Sequence, residues 1–153
     1  MGSLYSTKPE AVAMAEAADK PAILTALSTL FANGWSLDPA MVLEQLEERE
    51  RLGSTGFGRG VAIPHARIPG IGRPVAALLK LRHPVDFAAA DGMPVDLVFG
   101  LLSPENSGAT HLHALAAISR LVRDERVHEA LSEAPDAEAL FGLLTNAADR
   151  DAA

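Results

Sequence analysis

The chain has 153 residues, of which 48% are hydrophobic, and this size and composition suit one compact domain with a single sizeable core. The absence of cysteine excludes disulfides, thiolate nucleophiles and cysteine-ligated metal sites. A formal net charge of −7 argues against a general nucleic-acid binder, since neutralising phosphates requires a face rich in lysine and arginine.

The two ends of the chain are small and polar. We expect residues 1–10 and 147–153 to be flexible and residues 11–146 to form the domain. No apolar run approaches the roughly 18 residues that cross a bilayer, and the N-terminus lacks the pattern of a signal peptide. We therefore expect a cytoplasmic protein without membrane insertion.

Two amphipathic helices are predicted in the first third of the chain. The first starts after Asp19-Lys20-Pro21 and ends at Asn33-Gly34, because apolar residues recur at helical spacing between these signals. The second begins at Asp38-Pro39, where a capping residue precedes a proline, and ends before Gly53.

The middle of the chain predicts buried strands. Residues 53–64 contain four glycines and end in a short β-prone run, which indicates a loop that enters a strand. Residues 75–81 and 95–102 are continuous apolar runs of strand length, typical of a sheet that is covered on both faces.

Three further helices are predicted after the last strand. The first starts near Thr110, and the other two span about 125–133 and 136–144. Helices before, between and after buried strands predict an α/β layered domain. The apolar residues expected to be buried by the first of these helices are Leu112, Leu115, Ile118, Leu121 and Val122.

One histidine stands out among the five in the sequence. His65 follows a predicted strand behind the glycine-rich loop, and Pro64 restricts the backbone directly before it. A neutral imidazole offers one unprotonated nitrogen as a nucleophile, a base or a metal ligand. Because a histidine at a strand end is more often structural, its neighbours decide between these interpretations.

The glycine-rich loop is the first of these neighbours. Glycines allow successive backbone amides to point into one concavity, and such nests bind phosphate. The loop lacks the Lys-Ser/Thr ending of a P-loop and the spacing of a dinucleotide fingerprint, so no nucleotide cofactor is implied. The predicted phosphate-binding residues are Gly53, Ser54, Thr55, Gly56, Gly58 and Gly60.

Arg49 and His111 complete the candidate site. The fork of Arg49, at the end of the second helix, suits two phosphate oxygens, although a solvated helix charge is the alternative. His111 opens the third helix, where the dipole favours an anion. A metal site shared with His113 is not expected, because residues two apart on a helix diverge. We interpret His113 and His128 as partly exposed helical residues and His83 as a turn residue.

Residues 49–65, with the sequence RERLGSTGFGRGVAIPH, resemble the signature of the fructose- and mannitol-type IIA proteins of the bacterial phosphoenolpyruvate phosphotransferase system, especially the nitrogen-regulatory branch. The similarity extends from about residue 11 to about residue 144 and includes residues 94–99 and 110–113. It implies a three-layer α/β sandwich with a central mixed β-sheet flanked by helices, the phosphotransferase/anion-transport-protein-like fold.

The resemblance also implies roles for the candidate residues. His65 is the phosphoryl acceptor through Nε2, His111 stabilises the phosphoryl group, Arg49 contacts the anion, and an HPr-like carrier is the donor. Four positions depart from the usual family pattern, namely Phe57, Arg59 and the Ala66-Arg67 pair after the histidine. These departures touch the rim of the site, so we expect Phe57, Arg59 and Arg67 to influence which partner docks.

The preferred interpretation is a regulatory phosphocarrier that acts on partner proteins according to its phosphorylation state, without a cofactor or metal. Three alternatives stay open. The first alternative is a IIA component for fructose- or mannitol-type sugar transport. The second is a regulatory binding module that is never phosphorylated. The third alternative is a hydrolase in which His65 is the general base and Asp86, Asp91 or Asp96 approaches it in space.

Overall fold

A mixed sheet of six strands forms the centre of the protein in a computed structural model that describes residues 4–152, with side chains described up to residue 146. The sheet order is β1-β5-β6-β3-β2, and β4 also pairs with β6. The strands are β1 (Val12–Ala15), β2 (Gly56–Gly58), β3 (Val61–Ala62), β4 (His65–Ile68), β5 (Val75–Val85) and β6 (Val95–Pro104).

Strand β6 organises the sheet because it pairs with three others. It runs antiparallel to β5 and parallel to β3 and β4, which follow each other along its second edge. In register, Val61 lies opposite Leu97 and His65 lies opposite Leu101. The two short strands are separated at Ile63-Pro64, since proline has no amide hydrogen for the ladder. His65 therefore begins a new strand.

Helices cover both faces of this sheet, which confirms the predicted three-layer α/β sandwich. The helices are α1 (Lys20–Trp35), α2 (Pro39–Arg51), α3 (Ala109–Arg123), α4 (Glu125–Glu133) and α5 (Ala137–Ala152), with a 3₁₀ turn at Pro9–Ala11. Within residues 4–152, no helix combines the length and the apolar character needed to cross a membrane.

Two hydrophobic cores follow from the alternation of side chains along the strands. Leu79 and Leu102 pack in the core that also holds Leu27 and Phe31 of α1. Their sequence neighbours Leu78 and Leu101 pack in the other core, which contains buried residues of α3, α4 and α5. The continuous apolar runs are thus explained by burial on both faces.

The predicted helix starts are confirmed by their caps. The Asp19 side chain accepts from the Ala22 amide at 3.0 Å, and the Asp38 side chain accepts from the Ala40 amide at 3.0 Å. The predicted end of the first helix is wrong, because Gly34 lies inside α1 and the left-handed residue after the helix is Ser36, with φ 53°.

The strands also differ from the prediction in places. β5 continues past residue 81 and contains His83, which we expected in a turn. β6 continues past residue 102 to Pro104. Strand β1 was not predicted, because four residues such as Val12–Ala15 carry too little periodicity to distinguish a strand.

The chain ends depart from the expected flexible segments. Tyr5 is buried, the Ser6 amide donates to the Pro74 carbonyl at 2.9 Å, and the Ala76 amide donates to the Ser6 carbonyl at 2.8 Å. These contacts attach part of the 1–10 segment to the sheet, contrary to expectation. At the other end, α5 extends beyond the predicted residue 144. Residues 1–3 and 153 lie outside the described residues.

Candidate functional site

His65 is held at both ring nitrogens. Its Nδ1 lies 2.7 Å from the carbonyl oxygen of Ile63, and the Nε hydrogen of Arg49 points at its Nε2 across 3.3 Å. A carbonyl only accepts and a guanidinium only donates, so the proton of the neutral ring is on Nδ1. The lone pair is therefore on Nε2, where a nucleophile needs it.

The surroundings of His65 favour this neutral form. Burial lowers the pKa of His65 below its ordinary value of 6.5; its bond to the Ile63 carbonyl opposes this shift, and the nearby charges of Arg49 and Arg67 add to it. The local fold sets up the first contact, because the interruption between β3 and β4 places the Ile63 carbonyl two residues before the ring. A neutral imidazole with a fixed tautomer results.

Arg49 is brought to His65 by the end of α2. Besides its contact with the ring, it donates from a terminal guanidinium nitrogen to the Gly53 carbonyl at 2.9 Å. Gly53 follows the helix with φ 144°, a conformation that favours glycine. These contacts hold the guanidinium at His65 and do not fit the alternative of a freely solvated charge.

His111 faces His65 from the first turn of α3. The centroids of the two rings are 5.6 Å apart, and the His111 side chain belongs to a residue that is only 4% exposed. Its Nδ1 lies 2.6 Å from Oγ of Ser103. Burial lowers the pKa of His111 to about 4, and the charge of Arg67 and that of His65 in its protonated form add to this shift. His111 is therefore neutral near pH 7.

A cavity of about 410 Å³ joins these residues. It opens between the end of α2, strand β4 and the start of α3. Its lining residues are Gln45, Glu48, Arg49, Leu52, His65, Ala66, Arg67, His111, Leu112 and Leu115. The structure thus brings Arg49, His65 and His111 to one hollow, as the sequence predicted.

Arg67 is an exposed residue that also lines this cavity. Its guanidinium donates to the Gly108 carbonyl, next to the start of α3, at 3.4 Å. Its charge contributes to the lowered pKa of both His65 and His111. Two arginines, Arg49 and Arg67, therefore line the cavity, whereas the sequence predicted only Arg49 as an anion contact and Arg67 as a rim residue.

The mouth of the cavity is apolar. Leu52 is 84% exposed and Leu112 is 60% exposed, and both line the cavity. The prediction that Leu112 is buried is wrong, because α3 turns His111 and Ala114 toward the sheet and leaves the two residues between them, Leu112 and His113, exposed. Leu52 and Leu112 form an apolar edge beside polar groups.

The glycine-rich loop does not form the predicted phosphate nest at its central residues. The Thr55 amide donates to Glu50 at 3.1 Å, its hydroxyl also donates to Glu50, and the Gly56 amide donates to Oγ of Ser54 at 3.0 Å. The Ser54 hydroxyl donates to the Phe87 carbonyl at 2.7 Å. Because these donors are already bonded within the protein, the prediction is corrected for Ser54, Thr55 and Gly56.

The glycines of this loop instead serve its geometry. A Cβ on Gly56 would lie 2.7 Å from the Cα of Ala89, so the two backbones approach too closely for any side chain. Gly58, Arg59 and Gly60 all have positive φ, at 109°, 58° and 83°, in the turn between β2 and β3. Residues 58 and 60 are not among those lining the cavity at His65.

Two predicted rim residues are engaged elsewhere. Arg59 pairs with Glu125 of α4 at 3.2 Å, and Phe57 is half-buried with the Arg123 guanidinium 5.6 Å from its ring centroid. Phe57 and His65 do line a second hollow of about 310 Å³. Phe57 is thus near the site, whereas Arg59 lines neither hollow.

The carboxylates considered for a hydrolase have other partners. Asp86 accepts from the Ala88 amide at 2.9 Å, and Asp91 accepts from the Arg59 amide at 2.8 Å. Burial raises the pKa of Asp96, which lies close to Gly60. None of the three aspartates lines either hollow at His65. Their positions do not support a general-base role for His65.

The remaining histidines lie outside the cavity. His128 is half-buried, with Nε2 at 3.0 Å from the Arg59 carbonyl, and His113 is exposed. His83 pairs with Glu16 at 3.3 Å between exposed side chains. Within the described residues, no three His, Asp or Glu side chains gather in a way that would hold a metal ion.

Sequence reasoning missed Ser103 and Glu50. Ser103 is fully buried beneath His111, and Glu50 has a side chain only 6% exposed that accepts from Thr55 and pairs with Lys20 at 2.8 Å. Glu50 lies in a run of charged residues that suggested a solvated helix end. Ser103 follows an apolar run, where the alternation of strand residues offers a weak signal.

Comparison with known proteins gives a consistent result. Residues 6–147 match the family described as "Phosphoenolpyruvate-dependent sugar phosphotransferase system, EIIA 2". The chain is 48% identical over 103 residues to a nitrogen regulatory protein of Bradyrhizobium diazoefficiens, covering 67% of each chain. It is 38% identical over 128 residues to the nitrogen regulatory protein of Escherichia coli K12, covering 83% of this chain and 78% of that protein.

A solved structure shares the fold. The crystal structure of the nitrogen regulatory protein IIA-Ntr from Neisseria meningitidis superimposes with a TM-score of 0.81 at 35% sequence identity. The superposition covers 90% of this chain and 95% of that chain.

Proposed function

Because the chain belongs to the EIIA type 2 family of the phosphoenolpyruvate-dependent sugar phosphotransferase system, we propose that it is a nitrogen-regulatory phosphocarrier. It accepts a phosphoryl group on Nε2 of His65 from an HPr-like protein and acts on partner proteins according to its phosphorylation state. The observation that carries this proposal is the ring of His65, whose Nδ1 is bonded to the Ile63 carbonyl while Nε2 carries the lone pair.

The proposed transfer step is a displacement at phosphorus. The Nε2 lone pair attacks the phosphorus of the donor's phosphohistidine as the donor's P–N bond breaks, and the electron pair of that bond returns to the donor ring. The Nδ1 proton stays on His65, and the Ile63 carbonyl accepts a hydrogen bond from Nδ1–H and so stabilises the positive charge of the phosphorylated ring. No proton needs to enter or leave.

The cavity supplies the charge compensation that phosphoryl transfer requires. Arg49 leaves Nε2 as the phosphoryl group arrives and binds its oxygens with the same guanidinium. Arg67 offers a second cation in the same hollow, and His111 approaches from the N-terminus of α3, where the helix dipole favours an anion.

The apolar edge suits a protein partner. Exposed Leu52 and Leu112 flank the polar cavity, and an apolar contact area around a charged centre is typical of protein interfaces. Phosphorylation adds about two negative charges to a cavity whose histidines are neutral, and this change alters which protein can dock there. One site can therefore receive the group and signal its presence.

The names of the similar proteins support a regulatory role over sugar transport. The relatives from Bradyrhizobium diazoefficiens and Escherichia coli are both named nitrogen regulatory proteins. Transport of fructose or mannitol is the alternative, since the family description refers to a sugar phosphotransferase system. In either role the proposal places the protein in the cytoplasm.

Phosphorylation in a reconstituted chain tests the proposal. The full chain is incubated with phosphoenolpyruvate and the general phosphotransferase proteins, and the bound phosphate is tested for acid and alkali stability. We expect an acid-labile, alkali-stable phosphate on the wild type and on the control His83→Ala, and none on His65→Ala. An unlabelled wild type would contradict the proposal and support a regulatory module that binds without phosphorylation.

A further inference from the structure

The buried contact between Ser103 and His111 has no role in the function proposed so far. Ser103 is fully buried in the last part of β6, and its Oγ lies 2.6 Å from Nδ1 of His111. A hydroxyl group can donate to an imidazole nitrogen or accept from it, so the direction of this bond determines which nitrogen of the ring carries the proton.

We propose that Ser103 is a positioning residue for His111, whose hydroxyl donates to Nδ1 and thereby keeps the ring proton on Nε2. This inference rests on the proposed function, because the Nε2 hydrogen is the group that would hold a phosphoryl oxygen. His111 then binds the anion as a neutral donor and needs no proton from solvent.

The sheet places Ser103 under His111. In the pairing of β4 with β6, Arg67 lies opposite Ser103 and His65 lies opposite Leu101, two residues earlier on β6. Leu101 packs in the core beneath α3, and alternate strand residues share a face, so Ser103 points to the same side. The first turn of α3 then sets His111 directly above it.

The opposite direction of the bond does not suit an anion site. If Nδ1 donated to Ser103, the neutral ring would turn the lone pair of Nε2 toward phosphoryl oxygens, which are also acceptors. A doubly protonated ring would avoid this conflict, but burial, the charge of Arg67 and the charge that His65 gains when it is protonated lower the pKa of His111 to about 4. Donation by Ser103 is the arrangement that gives a neutral donor at Nε2.

The arrangement gives the two histidines opposite tautomers. His65 carries its proton on Nδ1, fixed by the Ile63 carbonyl, and has its lone pair on Nε2. His111 carries its proton on Nε2, fixed by Ser103. One ring thus attacks phosphorus and the other donates to oxygen, with 5.6 Å between their centroids.

The chemical shifts of the His111 ring nitrogens show directly which nitrogen carries the proton. We expect ¹⁵N NMR of the unphosphorylated full chain near pH 7 to show Nδ1 of His111 unprotonated and Nε2 protonated. In Ser103→Ala the two nitrogen shifts should move toward each other, because the tautomers mix. A protonated Nδ1 in the wild type, or unchanged ring shifts in Ser103→Ala, would overturn the proposal.

A second variant separates the hydrogen bond from packing. Ser103→Cys fills the site but offers only a weak S–H donor, so its ring shifts should follow those of Ser103→Ala. If the ring shifts of His111 in Ser103→Cys equal those of the wild type, the change seen in Ser103→Ala is due to lost side-chain volume, and the proposal is overturned. Ser28→Ala is the matched control, because it removes another buried hydroxyl, which donates to the Leu24 carbonyl at 2.8 Å in α1.

The lifetime of phosphorylated His65 gives the functional readout. Loss of one oriented hydrogen bond should shorten it about two- to tenfold in Ser103→Ala and Ser103→Cys, but not in Ser28→Ala. The ring shifts need no phosphoryl group, so the two proposals fail separately. If His65 is not phosphorylated, the carrier function is refuted and the tautomer assignment of His111 still holds. If Nδ1 of His111 is protonated, the tautomer assignment is refuted and the carrier function still holds.

Discussion

At the scale of single residues, two contacts define the chemistry of His65. The Ile63 carbonyl accepts from Nδ1 and Arg49 donates to Nε2, so the ring is fixed in one tautomer before any phosphoryl group arrives. In the proposed mechanism Arg49 first orients the unphosphorylated ring of His65 and then binds the phosphoryl group.

Arg49→Lys separates charge from geometry. Lysine keeps the positive charge but lacks the Nε donor and the planar fork, so we expect transfer to His65 to slow about tenfold to a hundredfold in single-turnover measurements. The neighbouring Arg51, which is exposed and pairs with Glu48, provides the control Arg51→Ala with an unchanged rate. Wild-type transfer by Arg49→Lys would show that charge alone suffices.

The pH dependence of transfer follows from the histidine pKa values. Burial lowers the pKa of His65 below 6.5, and protonation of Nε2 removes the nucleophile. We therefore expect the single-turnover rate to fall in acid with a midpoint below pH 6.5 that matches the pKa of His65 from an NMR titration. His111, with a pKa of about 4, should add no step above that value. A midpoint above 6.5 would contradict the burial argument.

The sequence allowed some site residues to be predicted and not others. His65, His111 and Arg49 are recognisable from an ordered motif, and the structure brings all three to one cavity. Ser103 was not predictable, because its importance depends on a contact between β6 and α3 that no local pattern encodes.

At the scale of elements, the glycine-rich loop is a structural connector. Its amides and hydroxyls are bonded to Glu50, Ser54 and Phe87, and Gly56 packs against the backbone of Ala89. A glycine-rich loop beside a histidine suggested a phosphate nest, but composition alone cannot show whether the amides are already satisfied.

Gly56→Ala tests the close approach of the loop to the backbone of Ala89. The added Cβ would lie 2.7 Å from backbone of Ala89, so we expect a loss of about 1–3 kcal/mol in the free energy of unfolding by urea. Gly72, which has open space around it and no positive φ, gives the control Gly72→Ala, with a change within about 0.5 kcal/mol. Unchanged stability in Gly56→Ala would contradict this steric role of Gly56.

The ion pair between Lys20 and Glu50 ties α1 to the end of α2. Their charged atoms are 2.8 Å apart, with side chains 24% and 6% exposed, and Glu50 also holds Thr55. Lys20→Met leaves a nearly buried carboxylate without its cation, so we expect unfolding to require about 1–2 kcal/mol less free energy.

The exposed pair of Arg51 and Glu48 is the control for that measurement. Its side chains are more than half exposed, so Arg51→Ala should change the unfolding free energy by less than about 0.5 kcal/mol. Equal effects of Lys20→Met and Arg51→Ala would show that the Lys20 pair contributes no more than a surface contact.

Local signals predicted the elements better than their ends. Aspartate caps predicted the starts of α1 and α2, because a capping side chain acts within its own turn. The end of α1 was misplaced because Gly34 lies inside the helix, where a Cβ would meet only the side chain of Ala11 at an ordinary 3.6 Å, so this glycine does not mark a helix end. Strand β1 forms because it pairs with β5, and the sequence of its four residues alone does not indicate this pairing.

At the scale of the whole molecule, the site lies where the layers of the sandwich meet. Arg49 comes from a helix on one face of the sheet, His111 from a helix on the other, and His65 and Arg67 from the strand between them. The layered fold was predictable from alternating helices and buried strands. The convergence of these side chains was implied only by the family motif, since layer order does not fix distances.

The position of the phosphoryl group tests the whole account most directly. The wild-type chain is phosphorylated through the phosphoenolpyruvate relay, and the ring nitrogens of the product are assigned by ³¹P and ¹⁵N NMR. The account predicts one phosphohistidine, at residue 65, with phosphorus on Nε2 and a hydrogen retained on Nδ1. Phosphorus on Nδ1 of His65, or on any other histidine, would contradict it.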